Sequence, residues 1–272
     1  MGKFLGNLSR RLATAAVALP LLALALFWGP VWLMEVIVAA AVLLGLKEFL
    51  ALLEARAIRP MRIPAVLLTA LFFFDVAHPA ATHPPLAALA VVVLFSALLL
   101  RRDDFAHSLA AAAFTLLGAL YLGALGGALA ALRSLAPADE GPWRLTLLLA
   151  VMMIADTCAY FVGSAIGRHK LAPRISPGKT WEGVIGAAVG GVLTALLVRR
   201  LGLATLSLMD AALLGLGVTA LGTTGDLAES VLKRWAGVKD SGALFPGHGG
   251  MLDRLDSLLF GAPVLYYYFL WR

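Results

Sequence analysis

Cysteine occurs once, at Cys158 inside an apolar run, so neither an internal disulfide nor a cysteine metal cluster can form. Charge is also scarce. Asp, Glu, Lys and Arg make up 14% of the 272 residues, against 61% hydrophobic residues and a mean hydropathy of +0.90. A soluble domain carries about a quarter charged residues, so that class is excluded. Short alternating apolar and polar segments are missing as well, which excludes a membrane β-barrel. The net charge of +6 is not arranged as a basic stripe interleaved with aromatics, so nucleic acid is not an expected partner. The run 12–28 lacks a small-residue cleavage site and reads as a retained first span rather than a signal peptide.

What the chain does have is apolar runs near the ~20 residues that cross a hydrocarbon core. They predict an all-α fold: a polytopic membrane helix bundle of about nine spans, near 11–28, 31–53, 64–78, 84–100, 106–132, 145–166, 182–199, 206–223 and 257–271. The whole of 1–272 reads as one integral-membrane domain, with amino-terminal spans in 1–140 and catalytic spans and loops in 145–272. Gly- and Ala-rich stretches (GALGGALA, GAAVGG) predict close helix approach. Cations gather in alternate loops: Lys3, Arg10 and Arg11, then Arg56, Arg59 and Arg62, then Arg101 and Arg102, then Arg168 to Lys179, then 224–256. The positive-inside rule places these loops and the N-terminus in the cytoplasm, with the protein multi-pass in the plasma (inner) membrane. Glu35 and Glu48, near the ends of the second span, are expected at the interface, and Asp210 is expected to cap a helix.

Two polar islands interrupt the apolar pattern, and charge within a membrane protein points to a functional site. In TTGDLAESVLKR, Asp226, Glu229, Ser230, Lys233 and Arg234 fall at helical spacing on one face. Its acidic end suits Mg²⁺, and its basic end suits phosphate oxygens. The island continues through Lys239 and Asp240 to FPGHGGMLDRLD, where glycines around His248 free backbone N–H groups to face an anion. Asp253, Arg254 and Asp256 then open the last span. The bland reading, that these acids only cap the helix, explains one acid but not two flanking an Arg.

The second island runs from Asp156, deep in an apolar run, to Gly183. An unpaired carboxylate there costs ~2.5–3.5 kcal/mol, so Asp156 should face the bundle interior with a cation, a metal or a proton of its own. Ser176, Gly178, Lys179 and Thr180 lie in SPGKT, which lacks the spacing and preceding strand of a Walker A loop.

The run from Ser230 to Asp256 resembles the signature of the phosphatidate cytidylyltransferases (CDP-diacylglycerol synthases). It matches at Ser230, Lys233, Arg234, Lys239, Asp240, His248, Gly249, Gly250, Asp253, Arg254 and Asp256. SPGKT resembles a segment of the same family, while the first 100 residues are merely hydrophobic. The resemblance implies a reaction between CTP and phosphatidate that gives CDP-diacylglycerol and pyrophosphate, for phospholipid biosynthesis.

On that footing Asp226 and Asp253 are expected Mg²⁺ ligands, with Glu229, Asp256 and Asp156 behind them or on a second metal or a monovalent cation. Lys233, Arg234, Lys239 and Arg254 are expected on the phosphates, together with Lys179 and Ser176. Gly178, Thr180, Ser230, Asp240, Gly249 and Gly250 complete the substrate contacts, and His248 positions a group or donates a proton. CTP, phosphatidate and membrane lipids are the expected partners, with room for a homodimer. A CTP-dependent lipid or polyprenol kinase would use similar charges but release CDP. A cation-coupled transporter would need acids at mid-membrane on several spans or inverted repeats, and neither is evident.

Overall fold

The computed structural model describes residues 20–79, 86–101, 104–242, 244 and 249–272. It consists almost wholly of helices. After a helical stretch at 20–27 come α1 (Val31–Glu54), α2 (Arg62–Ala77), α3 (Leu86–Leu99) and α4 (Phe105–Gly118). The last continues through a π-helical turn, Ala119–Ala124, into α5 (Leu125–Ala131). Then follow α6 (Gly141–Ile166), a hairpin of β1 (Lys170–Ala172) and β2 (Ser176–Thr180), α7 (Trp181–Gly202), α8 (Leu208–Ala236) and α9 (Leu252–Trp271).

Among the described residues, five helices are long and apolar enough to cross a membrane: α1, the continuous Phe105–Ala131 helix, α6, α7 and α8. This is a multi-pass α-helical architecture, as the composition predicts. The lower part of the first expected span, the outer loop 80–85 and His248 lie outside the described residues.

In α7 the reason for this packing can be read from side-chain size. Ile185, Val189, Leu193, Leu197 and Leu201 recur every four residues, and each is more than half exposed. Large apolar groups thus cover the outward stripe. The inward stripe is small: Ala187, Gly190, Gly191, Thr194 and Ala195 are buried. A Cβ at Gly190 would lie 2.6 Å from the Cys158 sulfur of α6, and one at Gly191 would lie 2.1 Å from the Thr219 hydroxyl of α8. Small residues therefore let three backbones close up, the packing mode expected where lipid removes the hydrophobic drive between helices. The α6, α7 and α8 helices pack on one another, and α9 lies along α8.

Three local expectations change. SPGKT is a strand rather than a loop, with Lys170 opposite Thr180 and Ala172 opposite Ser176 in an antiparallel pair. The eighth expected span does not end near 223, because α8 runs unbroken for 29 residues to a left-handed Gly237 (φ 77°). Its amino-terminal cap is Ser207, whose hydroxyl accepts the Asp210 N–H at 3.0 Å, so Asp210 belongs to the first turn.

Candidate active site

The continuity of α8 carries Asp226, Glu229, Ser230, Lys233 and Arg234 on one rigid helix. Two i,i+4 contacts fasten that face. Ser230 Oγ donates to Asp226 Oδ1 at 3.4 Å, and the Lys233 ammonium pairs with the fully buried Glu229 carboxylate. Lys233 also pairs with Asp253 Oδ1 at 2.6 Å, joining α8 to the start of α9. A single cation thus serves two acids.

Asp253 is the best-held carboxylate of the site. Its Oδ2 accepts the Gly250 N–H at 2.7 Å, the Ser241 N–H at 3.1 Å and is 2.8 Å from the Ser241 hydroxyl. Burial disfavours its charge, yet the Lys233 ammonium and the Gly250 N–H outweigh burial and hold the carboxyl well below the usual carboxylate range. The glycines before it are required by this geometry. Gly249 adopts φ 80°, and a Cβ there would stand 2.6 Å from Asp253 Oδ2. Asp256 is buried one turn on and accepts the Ser257 N–H at 2.6 Å.

The second island closes on the first through the hairpin. Lys179 on β2 pairs with Asp226 Oδ2 at 2.6 Å, and Arg234 Nε donates to the Ile175 carbonyl at 3.3 Å. Together these elements wall a cavity of about 550 Å³, lined by Lys170, Ser176 and Lys179 from the hairpin and by Asp156 and Asp226 from α6 and α8. Gly178 also lines it, and a Cβ there would meet no atom within 4 Å, so no contact within the protein demands glycine. Thr180 lines it too, but its hydroxyl accepts the Gly183 N–H at 3.1 Å and caps α7. Lys239, Asp240 and Arg254 are exposed at the rim of the signature loop.

Of the five acids expected at the metals, four separate into two pairs. Asp156 and Asp226 share the cavity, and Lys179 pairs with Asp226 there. Glu229 and Asp253 share Lys233 instead. Among the described residues no three Asp, Glu, His or Cys side chains converge to hold a metal unaided. That suits Mg²⁺, which takes one or two carboxylates and completes its shell with water and substrate phosphate. The cavity pair of carboxylates fits such an ion.

The sequence profile of the cytidylyltransferase family matches residues 9–271, nearly the full length. The chain belongs to this family. Among curated relatives, it is 44% identical over 132 residues to a phosphatidate cytidylyltransferase of Haemophilus influenzae, covering 46% of each chain. It is 47% identical over 135 residues to a phosphatidate cytidylyltransferase of Brucella suis, covering 49% of this chain and 50% of that protein. A third relative of the same name, from Thermotoga maritima, is 44% identical over 136 residues, 48% and 50% of the two chains. The aligned part spans about half the length of the curated relatives it matches.

For a cytidylyltransferase the grouping of charges is apt. Cations from the hairpin face carboxylates from two helices across one cavity. Two residues of this region were not foreseen. His169 donates its backbone N–H to both Glu182 oxygens at 3.2 Å and places Nδ1 2.6 Å from Oε1, pinning the hairpin to α7. Glu48, expected at the interface, instead meets the signature loop through hydrogen bonds to Met251, Leu252 and Ser241. Neither pairing has a short-range sequence signal, since the partners are 13 and about 200 residues apart.

Proposed function

We propose that this protein transfers the cytidylyl group of CTP to phosphatidate, giving CDP-diacylglycerol and pyrophosphate, from the cytoplasmic face of a bacterial-type inner membrane. The observation that carries this reading is the cavity in which Lys170 and Lys179 oppose Asp156 and Asp226. Such a site suits a polyanion that arrives with a divalent cation. Family membership and the names of the relatives support the same substrates.

In this mechanism the nucleotide triphosphate lies along the hairpin, where Lys170 and Lys179 neutralise its oxygens and Gly178 lets the chain approach closely. Asp226 and Asp156 would hold Mg²⁺, and a bound Mg²⁺ would supply charge neutralisation between the two anionic substrates. A phosphate oxygen of the lipid attacks the α-phosphorus of CTP. One P–O bond forms, and the bond from the α-phosphorus to the bridging oxygen of the β-phosphate breaks, leaving with that oxygen. The attacking group is already an anion, so no strong base is needed, and positioning does most of the catalysis. Lys233, held between Glu229 and Asp253, and the exposed Arg234, Lys239 and Arg254 bind the remaining phosphate charge.

The lipid also needs room for its acyl chains. An apolar groove of about 590 Å³ lies on another face of α8, lined by Ala228, Val231 and Leu232 with Phe49, Leu120, Tyr121 and Phe260. Tyr121 sits on the π-helical turn, and among the described residues its buried hydroxyl has no hydrogen-bond partner. In this reading the groove takes an acyl chain, and the Tyr121 hydroxyl donates to a polar atom of the lipid.

The test is direct. Purified protein receives α-³²P-labelled CTP, phosphatidate and Mg²⁺, and the products are separated. A labelled liponucleotide with release of pyrophosphate, abolished by EDTA, is expected. Release of CDP with a phosphorylated lipid would instead establish the kinase reading.

A further inference from the structure

Glu48 belongs to α1, in the half of the chain whose sequence is merely hydrophobic, yet it sits at the centre of the signature loop. Its Oε1 accepts the Met251 N–H at 3.0 Å, and its Oε2 accepts the Leu252 N–H at 2.8 Å. These are orphan donors at the start of α9, where no side chain of the helix's own cap residue serves them. An acid at this end of a helix also meets the favourable end of its dipole.

Ser241 extends the contact to the site. Its hydroxyl is 3.1 Å from Glu48 Oε2 and 2.8 Å from Asp253 Oδ2. One hydroxyl proton stands between two carboxylates and can serve only one at a time, while the Ser241 N–H stays on Asp253 at 3.1 Å. The Glu48 carboxylate also lies directly against two glycines. A Cβ at Gly242 would fall 2.4 Å from Glu48 Oε1, and one at Gly250 would fall 2.3 Å from Glu48 Oε2. A side chain at Gly250 would therefore displace the Glu48 carboxylate, and the Ser241 hydroxyl 2.4 Å away, from their present places.

We infer that Glu48 is a positioning residue: it fixes the first turn of α9 and, through Ser241, sets the aim of the Asp253 carboxylate and hence of Lys233. The inference rests on the cytidylyltransferase reading for the consequence but not for the geometry. Losing a hydrogen bond that places a charged group, here the carboxylate that holds the Lys233 ammonium, commonly alters ligand affinity by about tenfold.

The experiment uses the full chain in detergent or nanodiscs, with Glu48→Gln, Glu48→Asp and Ser241→Ala. Three quantities are measured: CTP binding without lipid, by equilibrium dialysis; hydrogen exchange of the 249–256 amides in ligand-free protein; and KM for CTP and kcat in CDP-diacylglycerol formation. Glu48→Gln should raise exchange at 250–253, weaken CTP binding about tenfold and raise the KM for CTP by a similar factor with a smaller change in kcat, with Glu48→Asp recovering part of the loss. Ser241→Ala leaves the Met251 and Leu252 contacts in place and should move CTP binding in the same direction. Should Glu48→Gln fail to fold, Ser241→Ala decides. A merely structural cap lowers thermal stability with CTP affinity unchanged in both variants, and that result overturns the inference. Wild-type protein that makes no liponucleotide refutes the proposed function instead, while the CTP-binding and exchange arms still judge Glu48.

Discussion

At the scale of single residues, Lys233 has the most to lose. It is 15% exposed at the side chain and stands between a fully buried Glu229 and a nearly buried Asp253. Lys233→Met would leave two carboxylates without their cation, and breaking a buried pair costs about 3–5 kcal/mol. A fall of that size in unfolding free energy, together with loss of turnover, is the expected outcome in detergent. Glu229→Gln should be milder, because Lys233 keeps Asp253. Asp226 makes a contrasting case. It is one-third exposed and opens into the cavity, so Asp226→Asn should leave insertion and stability near wild type while removing Mg²⁺-dependent turnover. Near wild-type turnover would reject it as a metal ligand. Lys179→Ala should raise the KM for CTP; an unchanged KM would remove the hairpin from the nucleotide site.

Among the elements, α7 and α8 depend on one close approach. A methyl group at Gly191 meets the Thr219 hydroxyl at 2.1 Å, with the Gly215 carbonyl 3.2 Å away. Overpacking of this kind costs about 1–3 kcal/mol. Gly191→Ala should lower the midpoint of thermal unfolding, and Thr219→Ala in the same chain should restore part of it. Simple additivity of the two changes would show that the contact does not matter.

The sequence made α8 legible because its chemistry is local. Asp226, Glu229, Ser230 and Lys233 are related by helical period alone, and the i,i+4 contacts follow from it. The joining of the two islands by Lys179 and Asp226 was implied only by a shared side of the membrane. Strand β2 was not legible, since five residues of SPGKT carry no alternation and the pairing with Lys170 depends on a short turn. Glu48 was the least legible. A glutamate near the end of an apolar run reads as an interfacial group, and only the folded chain brings the start of α9 to it.

For the molecule as a whole, our proposal that both polar islands face the cytoplasm rests on the positive-inside pattern. Cysteines introduced as Lys170→Cys and Asp240→Cys in a Cys158→Ser background should react with an impermeant maleimide only in inverted vesicles. Labelling from the outer side would reverse the topology and with it the access of CTP.

One dimension of α8 reaches beyond the chemistry of its side chains. Its 29 residues rise about 44 Å, against a hydrocarbon slab of ~30 Å. The surplus of two to three turns works as a ruler that sets the depth at which the acidic and basic groups emerge. Thickening the slab would draw those groups below the headgroups, and thinning it would lift the apolar groove away from the lipid tails. Turnover in the proposed reaction, followed in a series of phosphatidylcholine bilayers of increasing chain length, should therefore pass through a maximum, with membrane thickness acting as a control in its own right.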